Sequence, residues 1–250
     1  MVRDPHERAG RFDCLADGNH PHNELLLNLP HQECQHLFPL LVFLPLRAHE
    51  VLFDAGEPIN YGYFLDAGLA SVLNVMEDGK SVEVGVSGRE GFVGVPLLVG
   101  FESSPSRVIM QIAGSAFRVR AAALVQLLPK CPTLESRLQR YAQVMGLQSA
   151  QLAACNRLHQ IEQRLARWLL MCTDRTGSEF VPLTQESLAN ILGTQRSSIT
   201  LAAAILQKTG SISYMPGHVR ILDRAALEIA ACECYGAIMQ QSLRWTKESA

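Results

Sequence analysis

From residue 51 to residue 119 the apolar positions come in short runs: 51–53, 61–65, 70–76, 81–86, 108–112 and 116–119. Ten of the 18 glycines, from Gly56 to Gly114, fall between or beside them. Short β-prone runs broken at this rate predict an antiparallel sandwich or barrel. The clearest unit is SVLNVM-EDGK-SVEVGV, in which Val82, Val84 and Val86 alternate with polar or small residues. Asp78-Gly79 between the two runs predicts a hairpin, because glycine supplies the positive φ of a tight turn.

After Pro132 the period changes. No proline occurs from Thr133 to Val181, and the only glycine before Gly177 is Gly146. Leu134, Leu138, Tyr141, Met145, Gln148, Leu152 and Cys155 recur at alternating four- and three-residue steps, which predicts one long helix with a mostly apolar stripe. The stretch 141–156 carries no charge and is long for one small domain to cover. The first six of these residues are therefore expected to form the seam of a two-fold dimer. A second helical pattern follows, with Leu165, Trp168, Leu169 and Cys172 on one side, and ends at Gly177.

Residues 183–222 read LTQESLANILGTQRSSITLAAAILQKTGSISYMPGHVRIL. Thr184 is placed to cap a helix whose apolar face is Leu188, Ile191 and Leu192, and Gly193 ends it. A second helix starts near Gln195 or Arg196, with Ile199 and Leu206 inward. Counted from Gln185, alanine, glycine and isoleucine stand fifth, ninth and fifteenth, where a helix-turn-helix needs a small residue, a turn former and a core aliphatic. Two short runs around Pro216-Gly217 then predict a hairpin, and the sum is a winged helix. Arg196, Ser197 and Thr200 lie on the exposed side of the second helix, where an arginine can pair bidentately with guanine. Thr184, Gln185 and Ser198 can hold phosphates, and His218 and Arg220 extend the expected DNA contacts onto the wing.

Charge distribution agrees with that division. Residues 1–136 carry 10 Lys/Arg and 16 Asp/Glu, whereas 137–224 carry 10 and 5, within a chain of net charge −2. An acidic front and basic back suggest a sensing portion joined to one that meets a polyanion. The best apolar run, 37–46, is short and broken by Pro39 and Pro45, so no membrane span is expected, and the charged, polar start predicts a cytoplasmic protein. Seven scattered cysteines with no C-x-x-C pair suggest reduced thiols. Cys232 and Cys234, placed on one C-terminal helix, would diverge by roughly 200° and could not share an ion. His31 and His36 would diverge by roughly 140° on a helix, so no metal and no other cofactor is expected. No G-x-S-x-G, P-loop or H-E-x-x-H motif appears, which argues against an enzyme.

The order of parts, with EQRLARWLL at 162–170, LTQESLANILGTQRSSIT at 183–200 and the wing, resembles the CRP/FNR family of bacterial transcription regulators. FDAGEPINYGYFLDAGLASVL and GREGFVGVP are similar to that family's cyclic-nucleotide-binding sandwich. The resemblance covers residues 24–222 and implies an α+β chain with an N-terminal antiparallel β jelly-roll, a long dimerisation helix and a C-terminal winged helix. The corresponding boundaries are a flexible arm at 1–23, an effector domain at 24–131, the dimerisation helix at 132–158 and the DNA-binding domain at 159–250. It further implies a homodimer on a palindromic double-stranded DNA site, with RNA polymerase as a partner, phosphate contacts at Thr184 and Gln185, and base contacts at Arg196, Ser197 and Thr200.

By the same resemblance the effector pocket maps to Gly94, Val95, Arg107 and Ser149. Family members that bind cyclic AMP place a glutamate soon after the glycine of the F-x-G element and a serine after the phosphate-binding arginine. Here Val95-Pro96 follows Phe92-Val93-Gly94, and Val108 follows Arg107. Unpaired polar groups on a buried phosphate cost ~1–3 kcal/mol each, so tight cyclic AMP binding is not expected and the effector is unknown. Cys14 and Cys34 are too far apart in sequence for the closely spaced set of the iron–sulphur branch. The reading of another class, a ligand-binding module acting through protein partners, rests on the β domain alone.

Overall fold

The computed structural model describes residues 20–247. The arm expected over 1–23 lies outside them as far as residue 19, as does Cys14. Its last residues are anchored: the His22 N–H donates to Asp66 Oδ1 at 2.6 Å, and the buried Asn23 amide donates to the carbonyls of Leu65 and Gly91 at 2.7 and 2.8 Å. Helix α1 (His31–Leu37) follows. No helix of the described residues is long and apolar enough to cross a membrane.

Strands β1 (Val42–Leu46), β2 (Val51–Phe53), β3 (Tyr61–Val75), β4 (Ser81–Ser87), β5 (Phe92–Val93) and β6 (Arg107–Arg120) form one antiparallel sheet. Its order is β1-β6-β3-β4, with β2 also on β6 and β5 also on β3. The runs expected as separate strands at 61–65 and 70–76, and at 108–112 and 116–119, are single long strands. Their paired register slips between Leu65 and Ala70, so the ladder bends there instead of ending. The bend needs glycine. A Cβ on Gly114 would stand 2.0 Å from the Ala67 carbonyl oxygen, and Gly68 has φ +87°. The β3–β4 hairpin turns at Gly79, φ +81°, as the sequence predicts. Leu65, Ala70, Met110 and Ala116 are fully buried in one core of the sheet, and Phe64, Phe117 and Val119 join a second with α1.

Helix α2 (Ala121–Leu127) leads to α3 (Pro132–Leu158). The first turn of α3 is capped from a distance: Glu33 accepts from the backbone N–H groups of Thr133 and Leu134, each at 3.0 Å. A carboxylate there meets both the free donors and the positive end of the helix dipole.

The apolar stripe of α3 packs on the chain's own β domain, which corrects its expected role as the dimer seam. Leu134, Leu138, Tyr141, Gln148 and Leu152 are all buried without a second copy. Tyr141 donates to Ser87 Oγ at 2.8 Å, Gln148 Oε1 accepts from the Val86 N–H at 3.0 Å, and Met145 Cε lies over Gly85. The long strands give one domain enough surface to cover this stripe.

Helix α4 (Ile161–Thr176) opens with a Gln160–Gln163 capping box and ends at Gly177, φ +67°. The remaining elements are β7 (Phe180–Val181), α5 (Gln185–Leu192), α6 (Arg196–Lys208), β8 (Ile212–Met215), β9 (His218–Ile221), α7 (Arg224–Ala230) and α8 (Cys234–Lys247), with sheet order β7-β9-β8. This C-terminal domain docks on the hairpin of the first. Leu69 and Val86 share the core of Trp168, Leu188 and Ile199, and Arg175 pairs with Glu90 at 2.7 Å.

Candidate nucleic-acid interface and effector site

Thr184 caps α5 by accepting from the Ser187 N–H at 3.1 Å. Leu188, Ala189, Ile191 and Leu192 are its buried side, and Gly193 closes it with φ +59°. The glycine is required twice over, since a Cβ there would also come within 3.0 Å of Val82 on the effector-domain hairpin. In α6, Ile199, Ala202, Ala203 and Leu206 face inward. Arg196, Ser197 and Thr200 are exposed at its N-terminal end, and Ser198 is half-buried. Thr200 Oγ1 lies 2.9 Å from Gln185 Oε1 and 3.1 Å from the Arg196 carbonyl, and its one proton shared between them links α6 to the first turn of α5. That bond leaves the Gln185 amide N–H groups free of Thr200.

The wing is a two-residue hairpin pairing Met215 with His218, and Gly217 has φ +87°. His218 and Arg220 alternate with the buried Val219 and Ile221 and so share the outward face. His218 stacks on Phe180, ring centroids 4.7 Å apart. Two further groups lie at this end of α6, of which the sequence motifs do not mark Tyr214. Leu201 is 68% exposed on α6 beside Arg196 and Ser197, where an apolar side chain can meet a thymine methyl. The Tyr214 hydroxyl lies against the backbone N–H of Gln185 with Arg196 nearby, and burial pushes its pKa up despite both.

Part of the basic surplus of 137–224 is used within the protein. Arg164 and Arg167 are buried, Arg175 pairs with Glu90, Arg224 with Asp174, and Arg137 donates to the carbonyls of Leu25 and Leu27. Arg196, Lys208 and Arg220 remain exposed on the winged helix. Among the described residues no carboxylate forms an ion pair with them.

The four effector-pocket residues do not share one set of contacts. Gly94, φ +130°, packs against the Phe92 ring and Gly62 at the start of β3. Val95 opens the short turn 95–99. Arg107 pairs with Leu73, near the other end of β3. Its guanidinium is taken by Asp54 in a two-pronged contact, Nε–Oδ1 2.9 Å and Nη2–Oδ2 2.6 Å. That hydrogen bonding holds the Asp54 carboxyl below the usual range. Ser149 Oγ lies 2.6 Å from the Val84 carbonyl and 3.0 Å from that of Met145, so its one proton is used within the chain.

The geometric ground for separating Cys232 from Cys234 does not hold. Helix α7 ends at Ala230 and α8 begins at Cys234, so the two cysteines flank a helix start and their thiols point the same way, toward Cys155 and His159 at the end of α3. The sequence pattern of the last 26 residues gave no sign of that break, because no proline or glycine marks it.

Two family models match the chain. One is the cyclic nucleotide-binding domain, over residues 43–131, and the other the Crp-like helix-turn-helix domain, over 163–229. No curated protein matches it in sequence. Among solved structures, FixK2 from Bradyrhizobium japonicum is 15% identical and aligns over 77% of this chain and 98% of its own, TM-score 0.65. A putative transcriptional regulator of the CRP/FNR family from Eubacterium rectale is 15% identical over 84% of this chain and 98% of its own, TM-score 0.65. The c-di-GMP-responsive global regulator CLP of Xanthomonas campestris is 15% identical over 76% of this chain and 97% of its own, TM-score 0.63.

Proposed function

This chain belongs to the CRP/FNR family of transcription regulators, and from that premise we propose that it acts as a homodimer reading a palindromic DNA site through α6. The observation that carries the reading is the outward end of α6. There Arg196, Ser197, Thr200 and Leu201 stand exposed beside the start of α5, the positive end of whose helix dipole suits a phosphate. The phosphate fixes the register, and Arg196 reads a guanine edge in the major groove. Thr184, Gln185 and Ser198 serve the backbone, while His218 and Arg220 meet it from the wing.

Two-fold pairing is supported by the face of α3 that its own domain leaves open. Gln143, Gly146, Ala150, Ala153 and Ala154 are exposed, Leu147 is half-buried, and no charge falls between Arg140 and Arg157. Small residues let two helices approach closely, and the pairing would present two recognition helices about 34 Å apart, one turn of duplex. RNA polymerase is the protein partner this reading implies, and the cytoplasm its place.

The effector is not cyclic AMP bound tightly. Arg107 is already neutralised by Asp54, Ser149 is used internally, and Val95, Pro96 and Val108 offer no side-chain partner to a sugar or phosphate. The same fold occurs in a regulator described as c-di-GMP-responsive, so the fold does not commit this chain to one nucleotide.

The test is selection of bound DNA from a random duplex library by the purified protein without added ligand. Enrichment of a palindrome with half-sites one helical turn apart is the expected result. Enrichment of a single asymmetric half-site by a monomer would overturn the dimer, and binding without any sequence preference would overturn the assignment of α6 as a base reader.

A further inference from the structure

Four metal-ligating groups converge where the long helix meets the end of the winged-helix domain. Cys155 and His159 stand four residues apart at the C-terminal end of α3, on one face. Cys232 and Cys234 come from the break between α7 and α8. The three thiols are buried and form a small cluster of their own, with no aliphatic residue in it. The Cys155 and Cys232 sulfurs are 3.5 Å apart, the Cys234 sulfur is 3.5 Å from His159 Nδ1, and all four ligand atoms lie within 4.8 Å of one another.

A tetrahedral zinc ion with Zn–S near ~2.3 Å and Zn–N near ~2.0 Å separates its ligand atoms by about 3.5–3.8 Å. The observed spacing brackets that value. We propose that Cys155, His159, Cys232 and Cys234 form a structural Cys3His site for a zinc-class divalent cation. Thiolate and imidazole donors select a borderline-soft ion over calcium or magnesium, which require oxygen. No position is left for water, so the site is a staple rather than a catalytic centre.

The surroundings fit the charge such a site would carry. His159 points Nδ1 at the thiols, and its Nε2 lies 3.8 Å from the exposed Glu233 Oε1, an ion-pair distance on the side away from the sulfurs. Gln151 Nε2 donates to Cys234 Sγ at 3.1 Å. Arg164 and Arg167 are buried close by, and the Nε of each has no hydrogen-bond partner. A divalent ion with three thiolates and a neutral imidazole carries a net charge of −1, each coordinating thiol having yielded its proton to solvent, and the nearby positive guanidinium charges favour that anionic complex.

The ion joins elements that lie far apart in sequence. It ties Cys155 of α3 and the cap residue His159 to residues 232–234, and the whole winged helix lies in the loop between them. The orientation of α6 is thereby referred to the long helix at both ends of its domain.

The experiment is Co2+ titration of the full-length, fully reduced protein, followed by visible absorption and by metal content per chain. The expected result is one Co2+ per chain with the intense visible bands of tetrahedral thiolate coordination, displaced by Zn2+. Cys155→Ser and Cys234→Ser abolish those bands, whereas Cys34→Ser keeps them. Glu233→Gln, on an exposed side chain, weakens Co2+ binding by at most about fivefold, as loss of an exposed ion pair should. A wild-type protein that takes up no Co2+, or shows only the pale octahedral spectrum, overturns the proposal. So does a tetrahedral spectrum that survives in both serine variants.

Discussion

Trp168 of α4 donates its indole N–H to Glu83 of β4 at 2.9 Å, across the boundary between the two domains. The other oxygen of the same carboxylate accepts from Ser71 at 2.5 Å, and the group is fully enclosed. Burial raises its pKa from 4.5 to about 7, although Ser71, Arg167, Trp168 and Arg175 all pull it down. The folded protein therefore holds this proton at pH values where the unfolded chain has lost it. The stability it contributes is complete below about pH 4.5 and is lost as pH rises through about 7. The shift corresponds to roughly 3 kcal/mol. Glu83→Gln keeps the acceptor for Trp168 and removes the titration. Urea unfolding at intervals from pH 5 to pH 8 should show wild type weakening and the variant holding level in that window. Parallel curves would mean that Glu83 is ionised throughout.

Arg196 stands free at the start of α6, and its loss should leave the fold untouched. Arg196→Ala is expected to lower the preference for the selected site over scrambled DNA by ~1–3 kcal/mol per half-site. Arg220→Ala, on the wing, should weaken both DNAs equally and lessen the dependence on salt. Competition binding at two salt concentrations separates the two effects. Equal loss on specific and scrambled DNA in the Arg196 variant would reassign it to the phosphates.

The winged helix was legible because its constraints are local. Thr184, Ala189, Gly193 and Ile199 each answer a need set within a few residues, and each does in the structure what its spacing predicts. The strand bends were not, since Gly68 and Gly114 look like interruptions until their close approach across β3 and β6 is seen. Glu33 gave no sign of its partner either: the helix start it caps is 100 residues away. The stripe of α3 was visible but not what it faces, because periodicity reports that a face is apolar and not which surface covers it. The cysteine–histidine cluster was hidden by a helix break with no marker in sequence. Net charge pointed to the basic half but not to its outward residues, as it counts Arg164 and Arg167 without registering that they are buried.

The two faces of α3 make opposite predictions. Leu138 is fully buried against the chain's own domain, so Leu138→Ala should cost about 2–5 kcal/mol of stability. Ala150 is exposed on the uncharged face, so Ala150→Glu should leave the monomer's unfolding unchanged while placing like charges together at the proposed dimer axis. Sedimentation equilibrium should show a dimer for wild type and a monomer for Ala150→Glu. A dimer that survives the Ala150→Glu substitution would move the two-fold contact off this helix.

Asp54 and Arg107 provide the sharpest test of the effector domain. The pair is a two-pronged contact on partly exposed side chains, so its contribution to stability is small, and Asp54→Ala should fold normally. The substitution frees the guanidinium for an anion. Freed or not, it is followed by Val108 rather than a serine, and no acceptor for a ribose hydroxyl follows Gly94, where Val95 and Pro96 stand. Calorimetric titration with cyclic AMP should therefore find no tight binding to wild type and at most a weak, salt-sensitive gain in Asp54→Ala. Tight binding by the variant would mean that one ion pair, rather than the missing donors and acceptors, keeps this domain from the nucleotide.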